Sequence, residues 1–239
     1  MDLLAKNRTY HEAQSSMELL PNYYVWTYGK FRRHIKGVVV ELGCGSGTGI
    51  RCYIGNAHHV YAVDYNDALL TRIVKSLGAS IVTPIKADLM DDWRELKGIE
   101  ADTVILMDVL EHFRDDEAFL KKAAALLKPG GRMIIKVPAQ RKLYSSIDEA
   151  SGHFRRYDPE DLQRLALQAG LDCRFIRHIN PLGALAYRMK KEKQTNFSRT
   201  FSKAQLAFLN RLMPLIQLAD HIPFLRGLSM ICLMSRQPS

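Results

Sequence analysis

The stretch Val38-Val39-Val40-Glu41-Leu42-Gly43-Cys44-Gly45-Ser46-Gly47-Thr48-Gly49 decides how the rest of the chain is read. Three β-branched residues run into an acid and then into four glycines at alternate positions. The apolar run predicts a buried strand, and the glycines predict the turn after it. Glycine lets the backbone take φ > 0 and approach a ligand without a Cβ clash. The pattern also predicts a helix from near Thr48 to about Asn56, with its positive end toward the ligand. A dinucleotide site wants G-x-G-x-x-G, but here the third glycine falls one place early and position 48 is threonine. Glu41, at the mouth of the strand, would repel a pyrophosphate and attract a cation. A glycine-rich turn with no ligand is the remaining reading, so the flanking sequence must decide.

Downstream, 59–64 predicts a second strand that ends in Asp64, 21 positions after Gly43. In a doubly wound sheet an acid about 20 residues on bonds ribose hydroxyls. Further strands are predicted over 80–85, 102–107, 132–137, 171–178 and 228–235. The run 102–107 is continuously apolar, as a strand buried on both faces should be. Helices are predicted over 67–77, 115–127 and 159–169, the second ending at Lys128-Pro129-Gly130-Gly131. Pro21 suits the first turn of a helix over 21–34. This alternation predicts an α/β, doubly wound parallel sheet.

The E-x-G-x-G-x-G of residues 41–47 and the L-K-P-G-G-R turn of 127–132 resemble class I S-adenosylmethionine (AdoMet) methyltransferases of the type 11/12 kind. The resemblance covers 37–180 and, less closely, 228–235. It implies a Rossmann-like, seven-stranded, mostly parallel sheet with an antiparallel last strand. It also implies three parts: an N-terminal helical cap (1–36), the AdoMet-binding domain (37–180 and 227–239) and a helical lid or substrate insertion (181–226). AdoMet carries a sulfonium and an ammonium, which suit Glu41. Gly43, Cys44, Gly45 and Gly47 would form its loop. Asp64 and Tyr65 would lie at the ribose, and Asp88 and Leu89 at the adenine. Met107 and Tyr24 would complete the cofactor set, with Tyr10 and Tyr23 as alternatives to Tyr24.

Asp108, Glu111 and His112 stand at i, i+3 and i+4 after the fourth strand, which on a helix puts them on one side. His153, in the long loop 138–157, comes from the neighbouring strand end. The set resembles the acid-x-x-Glu-His plus distant His of ubiquinone-biosynthesis O-methyltransferases and small-RNA 3′-end 2′-O-methyltransferases, where a metal gathers acceptor hydroxyls. Two carboxylates and two imidazoles suit Zn²⁺, Mn²⁺ or Fe²⁺. Without a metal, His112, Glu111 and His153 would serve as acid–base and substrate groups. The reading that follows is methyl transfer to oxygen of a small-molecule or lipid-like acceptor. Carbon or nitrogen methylation, nucleic-acid 2′-O-methylation and a non-catalytic AdoMet-binding role are the alternatives.

The totals agree with such a domain. The chain has 239 residues, 47% of them hydrophobic, and a mean hydropathy of -0.16. Net charge is +9, which favours anionic partners or surfaces. Eight basic against two acidic residues in 181–226 place an excess of six there. The four cysteines are scattered with no C-x-x-C, as expected of a reducing cytoplasm. No signal-peptide pattern and no membrane span is read. An amphipathic helix is predicted over 203–220, with Leu206, Leu209, Leu212, Met213 and Ile216 on one face. That stripe would pack on its own domain, line a substrate tunnel, or touch an anionic membrane edge. Nucleic acid is disfavoured, because aromatics do not interleave with the basic residues.

Overall fold

The computed structural model describes residues 17–190, 202–222 and 224–238. Tyr10 and the insertion's Lys191, Glu192, Lys193 and Arg199 lie outside them. Seven strands form one sheet: β1 (Gly37–Leu42), β2 (Ala57–Asp64), β3 (Val82–Lys86), β4 (Ala101–Met107), β5 (Leu127–Pro138), β6 (Leu171–Ile179) and β7 (Ser229–Arg236). Their order is β3-β2-β1-β4-β5-β7-β6. The first five pair in parallel, and β7 runs antiparallel between β5 and β6. This is the predicted Rossmann-like sheet. Its order reverses at β1 and β4, the crevice where ligands bind in open α/β sheets.

Two apolar layers hold the sheet. On one face α3 (Asp116–Ala125) and α5 (Pro159–Gln168) insert Phe119, Leu120, Leu162 and Leu165. On the other lie α1 (Pro21–Gly29), α2 (Asp67–Leu77) and α7 (Lys203–Ile216), with Trp26, Leu70, Ile73 and Met213. The α2 boundaries match the prediction because Asn66 caps the helix, accepting from Leu69 N at 3.2 Å. The predicted stripe of α7 is a packing stripe: Leu206 and Met213 are buried, and Leu209 and Ile216 join the same cluster.

Helix α7 is also tied to α1. Asn22 donates through its backbone and side-chain nitrogens to Asn210 (2.8 and 2.9 Å). Asp220, just beyond α7, accepts from Trp26 Nε1 (2.7 Å) and the Asn180 backbone (2.8 Å) and pairs with Lys30 (2.7 Å).

Several expectations need correction. No α-helix follows the glycine loop; two 3₁₀ turns, Ile50–Cys52 and Ile54–Asn56, stand there instead. Gly47 at φ 72° and Gly55 weaken a regular helix, and Ile50 and Tyr53 are drawn into the core under α1. The expected helix dipole directly after the loop is therefore missing. Helix α1 stops at Gly29, before a turn over Arg32–His34. Strand β5 begins at Leu127 and takes in the K-P-G-G segment, with Gly130 at φ 74°. The loop 138–157 carries a short helix, α4 (Ser146–Ala150), closed by Ser145 and Asp148. The insertion opens with α6 (Pro181–Lys190).

Candidate active site

The carboxyl ends of β1, β2 and β4 gather the predicted cofactor residues. Backbone nitrogens of Gly43 and Cys44 donate to Val63 O (2.9 and 3.0 Å), which ties the loop to β2. Gly43 lies at φ 73°, and a Cβ there would meet Val109 at 2.8 Å, so only glycine fits. Asp64, 3% exposed, accepts from Gly45 N and Asn66 N, both at 2.9 Å. Tyr65 is partly exposed, and burial, then Asp64 and Asp88, push its phenol up to about 12. Asp88 is exposed and accepts from Met90 N at 2.9 Å. Leu89 reaches toward Gly43. Met107 is half-buried against the α1 face. Tyr24 is half-buried between Tyr23 and Tyr28, its phenol raised chiefly by burial.

Glu41, expected at the cofactor's cation, lies buried near the end of β1. It is 2% exposed, and Tyr28 and Tyr53 each donate to one of its oxygens, at 2.7 and 2.6 Å. Burial raises its pKa to about 7, against the lowering effect of those two hydrogen bonds. Gly49 makes this possible, since a Cβ there would overlap the Tyr28 hydroxyl.

At the ends of β4 and β5 the expected quartet divides. Asp108 takes φ 55°, and its carboxylate pairs with the Nζ of Lys136 on β5. Lys136 is 2% exposed and lies over the Tyr23 ring at 5.7 Å. Asp108 and Val109 are not helical; only Leu110–His112 form a 3₁₀ turn. The helical spacing rule therefore fails, and Asp108 leaves the group.

The other three residues meet. Glu111, His112 and His153 each bring one ligating atom within 4.8 Å of the others. Glu111 is 0% exposed, and neither carboxylate oxygen has a hydrogen-bond partner. Burial, then Asp108, raises its pKa well above the usual range. His153 Nε2 stands 3.9 Å from Glu111 Oε1, and the two imidazole rings meet edge to face at 4.8 Å. His112 Nδ1 faces Gly152 O at 3.2 Å. A carbonyl only accepts, so Nδ1 carries the proton and the Nε2 lone pair is left available. Burial, then His153, lowers the His112 pKa to about 4, so its ring is neutral near pH 7.

His153 is held from behind. Its Nδ1 faces Asp148 Oδ1 at 3.3 Å, and Asp148 also accepts from Arg156 (3.0 Å) and the Tyr187 hydroxyl (2.7 Å). Burial opposes ionisation of Asp148, but the hydrogen bonds from His153, Arg156 and Tyr187 prevail and hold it down to about 2. Tyr187 belongs to α6, so the insertion touches the group that orients His153.

Sequence reading missed Lys136, Tyr53, Asp148 and Tyr187. A lysine inside the apolar run Met133–Val137 was the available signal for the first. Nothing in spacing alone marks the others, which are brought in by separate elements.

The Methyltransferase domain family model matches residues 19–174. A ubiquinone biosynthesis O-methyltransferase of Cupriavidus pinatubonensis is 22% identical over 181 residues, covering 69% of this chain and 72% of its own length. A probable S-adenosylmethionine-dependent methyltransferase of Mycobacterium tuberculosis is 26% identical over 134 residues, covering 55% of this chain and 47% of that protein. Among solved structures, the complex between the Haloferax volcanii Trm112 methyltransferase activator and a methyltransferase has a similar chain. It matches with a TM-score of 0.63 at 14% identity, over 95% of this chain and 94% of that one, a likeness of fold.

Proposed function

The chain belongs to the methyltransferase domain family of AdoMet-dependent enzymes, and from that premise we propose that it methylates a hydroxyl oxygen of a small or lipid-like molecule. One observation carries the choice of oxygen: a fully buried carboxylate, Glu111, lies without a hydrogen-bond partner beside two imidazoles. AdoMet would be held by the glycine loop, with Asp64 and Tyr65 at the ribose, Asp88 and Leu89 at the adenine, and Met107 and Tyr24 alongside. The tight fit around Gly43 supports a backbone shaped for close approach.

AdoMet supplies an activated methyl group, so the chain's residues have to align the acceptor, exclude water and take its proton. Glu111 suits the proton. Starved of partners, it is a stronger base than a solvated carboxylate, and it takes the acceptor's proton once its own has passed to His153 Nε2, 3.9 Å away. His153, fixed through Asp148 and Arg156, and the neutral His112 would fix the acceptor oxygen. The same three side chains fit a divalent cation, since an orphaned carboxylate and two Nε2 lone pairs form a usable donor set. Such an ion, when bound, would lower the pKa of the hydroxyl.

The acceptor's class is supported by the insertion. Nine of the fifteen exposed large apolar side chains among the described residues lie between 181 and 226, among them Met189, Phe208, Leu215, Leu218 and Phe224. On α7 the exposed Phe208 and Leu215 are separate from the buried Leu206 and Met213. Joined to the basic excess of the segment, it favours contact with an anionic lipid surface, where a greasy acceptor resides. Among the described residues no helix is long and apolar enough to cross a membrane.

The test measures S-adenosylhomocysteine release over a panel of phenolic and lipid acceptors. Glu111→Gln should keep AdoMet affinity and lose at least ~100-fold in turnover. A chelator should reduce turnover and added divalent ions restore it. Undiminished turnover by the variant, or turnover confined to amines, would overturn the reading. Full activity in chelator, with no metal by elemental analysis, would leave Glu111 acting alone.

A further inference from the structure

A second concave site lies at the opposite end of the sheet. A cavity of about 330 Å³ is lined by Arg132, Arg174, Arg236, His34, Ser235 and Leu233, among others. Arg132 stands in the first half of β5, Arg174 near the start of β6 and Arg236 at the end of the antiparallel β7. Glu111, Asp64 and the glycine loop follow the carboxyl ends of the parallel strands. The cavity therefore faces away from the methyl-transfer site.

Three guanidiniums in one hollow repel one another, and little present offsets them. Arg174 pairs with Asp172 at 3.4 Å and donates to Ser235 Oγ at 2.6 Å. Arg132 reaches His34 O at 3.5 Å and Arg236 reaches Leu127 O at 2.6 Å. Among the described residues neither of these two forms an ion pair. A guanidinium carries five N–H donors, so most of the donors of both are uncommitted to protein acceptors. At the rim, burial, then Arg33 and Arg132, lower the pKa of His34.

We propose that this cavity binds the phosphate group of a small phosphorylated molecule. Three arginines less Asp172 leave a charge of +2, which a phosphate monoester, with a charge of about −2 at neutral pH, offsets. Planar guanidinium forks match phosphate oxygens in pairs. The cavity lies near the lower end of the range for small-molecule sites, roughly 300–1,000 Å³. That leaves room for an organic group against Leu233. A free phosphate has the same chemistry and would use less of the space.

Calorimetry on the full chain, with phenyl phosphate and inorganic phosphate as separate probes, tests this. Phenyl phosphate should bind with Kd below about 1 mM, and inorganic phosphate more weakly. If the two bind equally, the site takes the free ion and the ester assignment falls. Arg132→Gln, Arg236→Gln and Arg174→Gln should each weaken binding about tenfold or more. Arg94→Gln, at an exposed arginine paired with Asp92 elsewhere, should leave it unchanged. Unaltered AdoMet affinity in every variant shows that the fold survives; Arg174, the most solvent-facing of the three, serves if another variant misfolds. Equal phenyl phosphate affinity in the arginine variants would overturn the proposal. So would a short single-stranded RNA that binds through these arginines in preference to phenyl phosphate.

Discussion

Glu41 shows how a residue can be legible in kind while its partners are not. Its position after three valines marked it as an acid in the cleft, but Tyr28 and Tyr53 enclose it. That enclosure has a measurable cost. The carboxyl has a pKa of about 7 in the fold, against an ordinary value of 4.5. Between those values the folded chain holds a proton that the unfolded chain has lost. Its contribution to stability is therefore complete below pH 4.5, falls as pH rises to 7, and is flat above. The difference amounts to ~3 kcal/mol as an order of magnitude. Urea unfolding at about pH 5 and 8 should show wild type losing more stability than Glu41→Gln across that interval. Parallel losses would mean that Glu41 is ionised in the fold throughout. Glu111, His112 and His153 were legible because two short motifs carried them. The Lys136–Asp108 pair was not, because the positive φ of Asp108 breaks the helical spacing on which the expected quartet rested.

The elements that sequence placed well are those whose signals are local. Asn66 starts α2 by its own side chain, and continuous apolar runs make β1 and β4 buried strands. The segment after Gly49 failed because its helical pattern is carried by core residues that tertiary packing settles as 3₁₀ turns. Long-range fastening was equally invisible. The side chain of Asp220 is only 2% exposed and holds Lys30, Trp26 and the Asn180 backbone together. Asp220→Ala should cost about 3–5 kcal/mol, because it strands a buried ammonium and two donors. Urea denaturation would read the loss directly. A loss under about 1 kcal/mol would show that the fastening between α1 and the insertion is dispensable.

For the whole molecule, charge and exposed apolar surface act together. A net charge of +9 and the apolar side chains exposed between 181 and 226 should bring the protein down with vesicles containing anionic lipid. High salt should weaken that recovery, since screening shortens the reach of the basic residues. Phe208→Ser with Leu215→Ser should also reduce it, and equal recovery on neutral and anionic vesicles would remove the membrane from the account. The sheet as a whole was readable because strand and helix alternate through most of the chain, and the support behind His153 was not, because Asp148, Arg156 and Tyr187 come from α4, the loop after it and α6. The place of β7 also bears on how the molecule is made. It follows β5 and β6 in chain order, yet it sits between them and pairs with both. On the ribosome β6 therefore waits without a neighbour while α6 and α7 emerge, and a nascent chain halted before Ser229 leaves both β5 and β6 with an open edge for other chains to join.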